Sequence, residues 1–585
     1  MAAAVDGVAG NARWLKVTKK RVCAVRNVCG GTWFKIQTRH FIMKKTILAY
    51  SLLLLPAATV MGQSAFDIYQ FSQREMRGTA RYMSMAGAFG ALGGDLSAIN
   101  LNPGGIGIYR SSDVGVTLDF DIGSTTAESA GTSVATDRFK FYCNNAGYVG
   151  ALRLDSDVMP NINWGFTYNR AASFNRHYRG AIKNLTNSFT NFVAGTSASS
   201  GITADDLTYD SYYTGYNPYL DGNAGWMDIL AFNSYMTNVV DGQFQGLWGD
   251  GTSGAATFET FESGGIDDFT FNFGGNVSNI LYWGMSLGIS SIEHNIDTYY
   301  GENLQGAYVS VSYQDLVNGN SYEEIRQGVA DYEVHNYSRT TGTGVNFNLG
   351  VILKPINELR LGFAFHTPTY YSLRNEYYAD TRFSYEADGF AYSGDAFTDD
   401  GYVSEFNYNL RTPWRFVASA AAVLGGRGIL SFDYEYVGNQ TMEAEDDYGN
   451  DFYDLNTDVD NYYKASHIFK VGAEYRITNN FSVRAGYSYQ TSGSTDRVRN
   501  DLDYVYTTLM PASYETENSV QHITFGLGYK YKRFYTDLAF VHRDRQTDYH
   551  AYSPVYYTDG GYDLSPRARI NNYDNQIVWT LGIRF

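Results

Sequence analysis

Alternation of apolar and polar residues is the dominant pattern of this chain, and it is clearest at the C-terminus. The last strand-like segment places apolar side chains at every second position, at Ile577, Trp579, Leu581, Ile583 and Phe585. The residues between them are mostly small or polar. A period of two predicts a β-strand with one apolar face, so we expect the chain to end in such a strand.

The same pattern recurs along the chain as hairpins, with short turns at residues 354–357, 425–428, 478–480 and 532–533. It predicts fourteen strands, at residues 112–123, 138–152, 160–172, 266–276, 281–296, 335–353, 357–372, 402–424, 428–437, 465–476, 480–491, 518–531, 533–546 and 575–585. Short connections alternate with long ones. An even strand number with this alternation is typical of a transmembrane β-barrel. We therefore predict an all-β fold, a transmembrane antiparallel up-and-down β-barrel of about fourteen strands.

The second face of the strands agrees with a barrel. Asp433 and Glu435 lie opposite Phe432, Tyr434 and Tyr436. Acidic groups are costly in a small dry core, whereas a water-filled lumen would accept them. The many tyrosines suit the two membrane interfaces, where an apolar ring meets lipid and its hydroxyl meets headgroups.

The N-terminus divides into segments of different character. Residues 1–42 carry eight basic residues and one acid, and from Met43 the chain has two lysines, an apolar run to Met61 and a small residue at Gly62. This order is that of a secretory signal peptide. We predict that translation begins at Met43, that residues 43–62 are a signal peptide, and that residues 1–42 precede the true start.

Removing residues 1–62 leaves 34 basic and 60 acidic residues, a net charge of −26. Such a chain repels phosphate backbones, so we expect no nucleic-acid partner. One cysteine, Cys143, remains and has no internal partner. No apolar run of 18 residues follows Met61, so we predict that the membrane is crossed by strands. The expected location is the outer membrane of a Gram-negative bacterium.

The long connections are rich in Asp, Tyr, Gly and Asn. We interpret the segment from Glu443 to Tyr463 as a solvated extracellular loop. A calcium ion is an alternative there, because hard cations prefer carboxylates, although the spacing fits no EF-hand loop.

Residues 63–111 lack strand alternation and are rich in Gly and Ala, and we predict that they form a hatch, a plug inside the lumen. Here the sequence resembles the FadL/TodX family of outer-membrane channels for hydrophobic compounds, in its Bacteroidetes type. The resemblance rests on 77–81, 86–91, 95–98, Asn102-Pro103, 362–369 (GFAFHTPT), 412–414 (TPW) and 431–434 (SFDY).

The resemblance implies a barrel, residues 112–585, plugged by the hatch. It implies passive uptake of hydrophobic small molecules such as long-chain fatty acids, with lateral exit into the bilayer. Phe66, Tyr69 and Phe71 would line the ligand end of the hatch, and Asn102 and Pro103 would fix its turn. We expect a monomer that contacts outer-membrane lipid and lipopolysaccharide and needs no cofactor or metal.

Other functions stay open at this point. A barrel of this class could serve as a partner in secretion or surface modification, and His542 and His550 near the last loop could bind heme. Gly284 to Gly288 match the G-x-S-x-G motif, but the motif requires a strand-to-helix turn, and the pattern here is a plain strand. We therefore expect no catalysis, and Ser286 should face the lumen.

Overall fold

The computed structural model describes residues 64–585 except 210–214, 223, 241, 315–320, 506–511 and 557–561. The predicted signal peptide and the segment before it lie outside the described residues. The wall strands are β1 (Asp113–Ser129), β2 (Thr132–Arg153), β3 (Asn161–Ser173, continued by Arg176–Lys183), β4 (Ser253–Val277), β5 (Leu281–Gln314), β6 (Ser321–Leu353), β7 (Leu359–His366, continued by Tyr370–Ala387), β8 (Ser404–Arg411, continued by Arg415–Leu424), β9 (Gly428–Val437, continued by Glu443–Glu445), β10 (Ser466–Arg476), β11 (Phe481–Thr491), β12 (Tyr514–Tyr531), β13 (Phe534–His550) and β14 (Arg567–Arg584).

These strands form one closed antiparallel barrel. Each pairs with the next along the chain, and β14 returns to β1 over Asp113–Glu128. Closure pairs each strand with a neighbour on both sides over at least part of its length, and an unpaired backbone group in lipid would raise the free energy of the fold. The predicted fold class and strand number are confirmed.

Shorter elements complete the chain. The helices are α1 (Ala65–Ser72), α2 (Ala80–Met83), α3 (Ala98–Leu101), α4 (Phe189–Ser199), α5 (Ala204–Leu207), α6 (Pro218–Asp221), α7 (Trp226–Asn233), α8 (Tyr453–Tyr462) and α9 (Asp496–Arg499), with 3-10 turns at Pro103–Ile108, Thr398–Gly401 and Asn439–Thr441. Phe390–Phe397 is an accessory strand on the end of β7, and small hairpins join Asn238–Val240 to Gln243–Gln245 and Val555–Tyr556 to Tyr562–Asp563. None of the described helices is long and apolar enough to cross a membrane.

The outer face of the barrel carries an apolar belt. Side chains such as Phe271, Leu287 and Phe525 are more than half exposed on it, while their sequence neighbours face the lumen. A continuous belt of this kind on an antiparallel barrel is suited to the hydrocarbon of a membrane.

The long loops predicted after the first, fifth and seventh strands are wrong, because these strands continue beyond the apolar belt, whereas long connections do follow β3, β9, β11 and β13. The segment after β1 turns at Ala130-Gly131, and β5 extends to Gln314. Above the belt, apolar side chains point inward and polar ones point outward, the opposite of the arrangement within it. Tyr300 and Leu304 are buried inside, and Glu293 faces outward. A search for outward apolar residues therefore ended these strands too early.

The acidic segment from Glu443 to Tyr463 is also not a solvated loop. It contains the end of β9 and helix α8, and Val459, Tyr462 and Tyr463 are buried against α1. The acidic residues remain at the surface while the apolar residues of the same segment hold the hatch.

The lower half of the hatch rests on a belt of glycines on the inner wall. A Cβ atom at Gly284 would collide with the carbonyl of Pro103, one at Gly350 with the Asn102 side chain, and one at Gly362 with the carbonyl of Gly90. Gly472, Gly486 and Gly526 are equally close to the backbone or side chains of residues 84–86. Part of the glycine content is thus explained by close approach of the hatch backbone to the wall.

Asn102 and Pro103 lie at the tightest part of this contact. The Asn102 Oδ1 atom accepts a hydrogen bond from the Gly104 amide (2.9 Å), and its Nδ2 donates to the carbonyls of Gly90 (2.6 Å) and Val351 (3.2 Å). Pro103 begins a 3-10 turn, a position that needs no amide hydrogen. Asn102 thus joins two hatch segments to β6.

Replacing Gly284 by Ala should displace this part of the hatch, because the added methyl group meets a backbone atom that cannot rotate away. We expect a loss of about 1–3 kcal/mol in stability and a higher ion conductance in planar bilayers. Gly428→Ala is the matched control, since its Cβ would make only an ordinary contact, 3.5 Å from Leu424. Equal behaviour of both variants would show that the hatch does not rest on Gly284.

Candidate functional site

A lumen cavity of about 190 Å³ lies beside the upper hatch, between α1, residues 73–77 and the wall. Charged side chains contribute much of its lining: Arg74, Glu75, Arg77, Arg138, Arg176, Glu262, Asp268, Arg415, Glu435, Lys470, Glu517, Arg543, Arg545 and Asp574. The cavity is therefore not the apolar pocket that a hydrophobic ligand alone would favour.

Most of these charges are held in ion pairs rather than by a wet lumen. Glu435 lies between Arg415 and Lys470, whose Nζ donates to it over 2.9 Å. Arg176 likewise lies between two carboxylates, Glu262 (2.5 Å) and Glu515 (2.7 Å). Buried charges require such partners. The sequence-based expectation that water in the lumen stabilises the Glu435 carboxylate is therefore wrong, because Arg415 and Lys470 do so.

Asp433 also has a protein partner. Its carboxylate accepts a hydrogen bond from the Gly90 amide (2.8 Å), which ties the hatch to β9.

Arg545 differs from the other cations of the cavity. Within the described part of the chain its guanidinium makes no hydrogen bond, and its nearest carboxylate, Glu517, is 3.8 Å away. An arginine with free donors beside a cavity is a ready partner for an anionic group.

The three predicted ligand residues do not line this cavity. Phe66 packs against Tyr514 (ring centroids 4.7 Å apart), and Tyr69 stacks on Tyr463 (4.4 Å). Phe71 contacts the ring of His294 (5.4 Å). All three belong to the aromatic cluster that fixes α1, and their ligand role stays a prediction.

Most of the residues that do reach the cavity from the same helix and its C-terminal extension are polar: Gln70, Ser72, Gln73, Arg74, Glu75 and Arg77. We did not select them from the sequence, where the aromatic residues of this segment were the predicted ligand contacts. Helical spacing does not separate the two sets, because Gln70 and Gln73 follow Phe66 by four and seven residues and so lie on the same side of the helix.

Next to the cavity, the wall strands β2 and β3 cease to pair through backbone hydrogen bonds. Their hydrogen-bond ladder runs from Arg153↔Asn161 to Asn145↔Asn169 and stops there. Above this point β3 bends at Phe174-Asn175, and its pairing with β4 is irregular between Arg170 and Ala172. We call the region where residues 132–144 and 170–183 face each other without a ladder the seam. The sequence marks residues 169–173, after the third predicted strand, as a candidate for local disruption of the wall, and the seam begins there.

Side chains fill the seam from the lumen. The Tyr142 hydroxyl contacts the Ser173 hydroxyl (3.0 Å), and Arg77 and Arg170 lie over the Tyr142 ring at 5.0 and 5.3 Å from its centroid. Arg138 pairs with Asp574 and lines the cavity. The seam is thus closed by polar side chains rather than by backbone hydrogen bonds.

Glu75 of the hatch connects the seam to the ion-pair network. Its backbone amide donates to the Ala171 carbonyl (2.8 Å), and its carboxylate accepts from the Ser173 amide (3.1 Å). The same carboxylate pairs with Arg77 (2.7 Å) and Arg543 (2.5 Å). The hatch thereby supplies backbone partners where β2 does not.

Helices α4 to α7 form a cap over the end of the barrel that lies away from the C-terminus. Phe189 and Trp226 pack in one apolar cluster with inward residues of the long strands, including Tyr332 and Tyr377. The carboxylate of Asp228 in α7 accepts hydrogen bonds from Ser197 (2.6 Å) and Thr196 (3.1 Å) of α4. Burial raises the pKa of Asp228 to about 6.

The serine and histidines considered above for catalysis or heme binding contact other side chains of the barrel. Ser286 is buried on the lumen side of β5, where Asn348 donates to it (3.1 Å). His542 contacts Asn575 (2.9 Å), and His550 is buried beside Asp501 (2.9 Å). Among the described residues no group of three His, Cys, Asp or Glu side chains is placed to hold a metal ion.

The closed barrel, its apolar belt and the plug within its lumen define the class of protein: a β-barrel of the transmembrane type with an N-terminal hatch. The outer membrane of a Gram-negative bacterium stays its predicted location. No protein-family model and no curated protein matches the sequence.

Similar solved structures exist. A FadL homologue of Pseudomonas aeruginosa is 13% identical, with a TM-score of 0.46 over 88% of this chain and 99% of that one. The Pseudomonas putida toluene transporter TodX is 12% identical, with a TM-score of 0.43 over 88% of this chain and 100% of that one. The Ralstonia pickettii toluene transporter TbuX is 13% identical, with a TM-score of 0.40 over 87% of this chain and 99% of that one. These structures include a FadL homologue and TodX, the two names of the family that the sequence resembles.

Replacing Glu75 by Gln should loosen the seam, because Arg77 and Arg543 lose a shared carboxylate. Breaking a buried pair costs about 3–5 kcal/mol, and we expect the Ser173 amide to exchange its hydrogen faster. Hydrogen exchange and denaturant unfolding measure both effects. The control is Glu405→Gln, which breaks the exposed ion pair between Glu405 and Arg374. Such a pair contributes less than about 1 kcal/mol. Unchanged exchange at Ser173 would contradict the connection.

The cap should be more stable at pH 5 than at pH 8. The folded-state pKa of Asp228, about 6, lies above its ordinary value of 3.8, so the folded cap binds the extra proton. The free energy of unfolding of the cap is highest below about pH 4. It falls by about 3 kcal/mol as the pH rises from about 4 to about 6. Amide exchange in α4 and α7, corrected for intrinsic rates, measures the change. Asp228→Asn should remove it, and persistence in that variant would contradict the assignment.

Proposed function

We propose that the protein is a channel for passive uptake of hydrophobic compounds, with long-chain fatty acids as the substrate class. The observation that carries the proposal is the seam between β2 and β3, which lies beside the lumen cavity and above a fixed plug. A molecule that reaches the cavity has a short lateral path to the bilayer there.

The lower hatch argues for this lateral route. Its backbone lies against the glycine belt, and Asn102 anchors it to β6 by a hydrogen bond. A straight path to the periplasm would require that packing to be undone. Opening the seam requires only that side chains such as Tyr142 and Arg138 move, since no ladder joins the strands there.

The ionic lining favours an amphipathic molecule over a pure hydrocarbon. A carboxylate would find free donors on Arg545, while the chain extends toward the seam and the lipid beyond it. Each CH₂ group that leaves water contributes about 0.8 kcal/mol, so a long chain partitions into the bilayer without an energy source. Phe66, Tyr69 and Phe71 would contact the chain once α1 moves away from Tyr463.

The remaining expectations are part of the same proposal. The apolar belt would contact lipid and lipopolysaccharide, a single chain would be sufficient for passage because the cavity and the seam lie within one barrel, and transport would need no catalytic step.

Joining the two strands should stop uptake. In a Cys143→Ser background, Tyr142→Cys and Ser173→Cys place thiols on opposite sides of the seam, and a short bifunctional maleimide links them. We expect labelled oleate to enter host cells that lack their own fatty-acid channel, and to stop entering after linking. The double variant without reagent and each single variant with it are the controls. Undiminished uptake by linked protein would overturn the lateral route, and absence of uptake by the unmodified chain would overturn the proposed function.

A further inference from the structure

Six aromatic side chains form a row across the outer face of the barrel above the apolar belt. We call it the aromatic row: His177, Phe261, Tyr299, His335, Tyr378 and Phe397, on β3 to β7 and the accessory strand. His177 stacks on Phe261 (ring centroids 4.2 Å apart) and Tyr299 on His335 (4.4 Å). The other neighbours are 6.4–6.5 Å apart. The row is therefore continuous from strand to strand.

The row lies outside the hydrocarbon of the membrane. Ile289 is the last apolar outward residue of β5 below it, and Ser291, Glu293, Asn295 and Asp297 separate it from Tyr299. Ten residues of a tilted strand rise about 25 Å. Lipid tails therefore cannot cover these rings.

The surroundings of the row are acidic. The outward positions two residues away from the rings hold six carboxylates and one arginine: Glu259, Asp297, Glu333, Glu376, Asp380, Asp395 and Arg179. Some carboxylates hold the histidines in place, as Asp380 (2.8 Å) and Asp297 (3.2 Å) do for His335. The surface as a whole keeps a negative excess.

Part of the row is open to solvent. Phe261 is 41% exposed and Phe397 is 47% exposed. Tyr402, which follows Phe397 after one turn, is 72% exposed. Cross-strand ring pairs stabilise a sheet. That structural role does not require the rings to be exposed to solvent or to be surrounded by carboxylates. Exposed apolar surface of this kind marks interaction sites.

We propose that the aromatic row and its carboxylates form an extracellular docking surface for a partner protein that presents arginine side chains. Guanidinium groups stack on aromatic rings and pair with carboxylates, so one residue type satisfies both features. The negative excess repels lipopolysaccharide phosphates and a second copy of this acidic surface. Five of the six rings lie outside the seam, and only His177 belongs to both, so this binding role is distinct from uptake through the seam.

The test uses the full protein in nanodiscs and labelled oligoarginine and oligolysine peptides of equal length. We expect the arginine peptide to bind about tenfold more tightly, because the rings favour guanidinium. The variant Phe261→Ser/Tyr299→Ser/Phe397→Ser keeps every charge and should bind both peptides equally. Glu333→Gln with Asp395→Asn should weaken both.

The matched control is Tyr448→Ser with Tyr453→Ser, two exposed tyrosines in another acidic segment, which should bind like the unchanged protein. The proposal is overturned if the triple variant retains the arginine preference or if this control loses it equally. Displacement of the peptide by lipopolysaccharide from the unchanged protein, but not from the triple variant, would identify a saccharide surface instead and also overturn it.

Discussion

Satisfaction of backbone hydrogen bonds in lipid is the constraint on which this structure depends. Fourteen strands meet it by closing into a barrel, but the ladder between β2 and β3 stops at Asn145 and Asn169. Beyond that point Glu75 of the hatch bonds to Ala171 and Ser173. The wall and the plug are therefore one hydrogen-bonded system, and any movement of the upper hatch changes the place where the wall is weakest.

The two halves of the hatch are held by different forces. Close contact with glycines fixes the lower half, because no side chain separates the two backbones. Ion pairs and aromatic stacking hold the upper half, through Glu75, Arg77 and the rings around Tyr69. Ion pairs can exchange their partners for an incoming charged group, whereas backbone contact cannot be exchanged. We therefore expect movement of the hatch at the cavity and not below it.

Polarity reverses along the same strands. In β5, Leu287 faces outward and Ser286 inward within the membrane, whereas above it Tyr300 faces inward under the cap and Glu293 outward. One strand can serve both regions because its side-chain period is unchanged and only the solvent on each side differs. The barrel thus continues beyond the apolar belt into a region with a packed interior and an acidic, aromatic exterior.

The sequence by itself determined the strand number, the antiparallel barrel and the hatch, because each strand's period of two is a local property readable from residues such as Ile577, Trp579 and Leu581. It also brought out Asn102 and Pro103, whose turn chemistry is local. Only the tertiary structure decided that Arg545 and Gln70 meet at one cavity, that Phe66, Tyr69 and Phe71 pack away from it, and that the ladder stops between β2 and β3. Those features depend on distances between segments far apart in the chain, which no local pattern encodes.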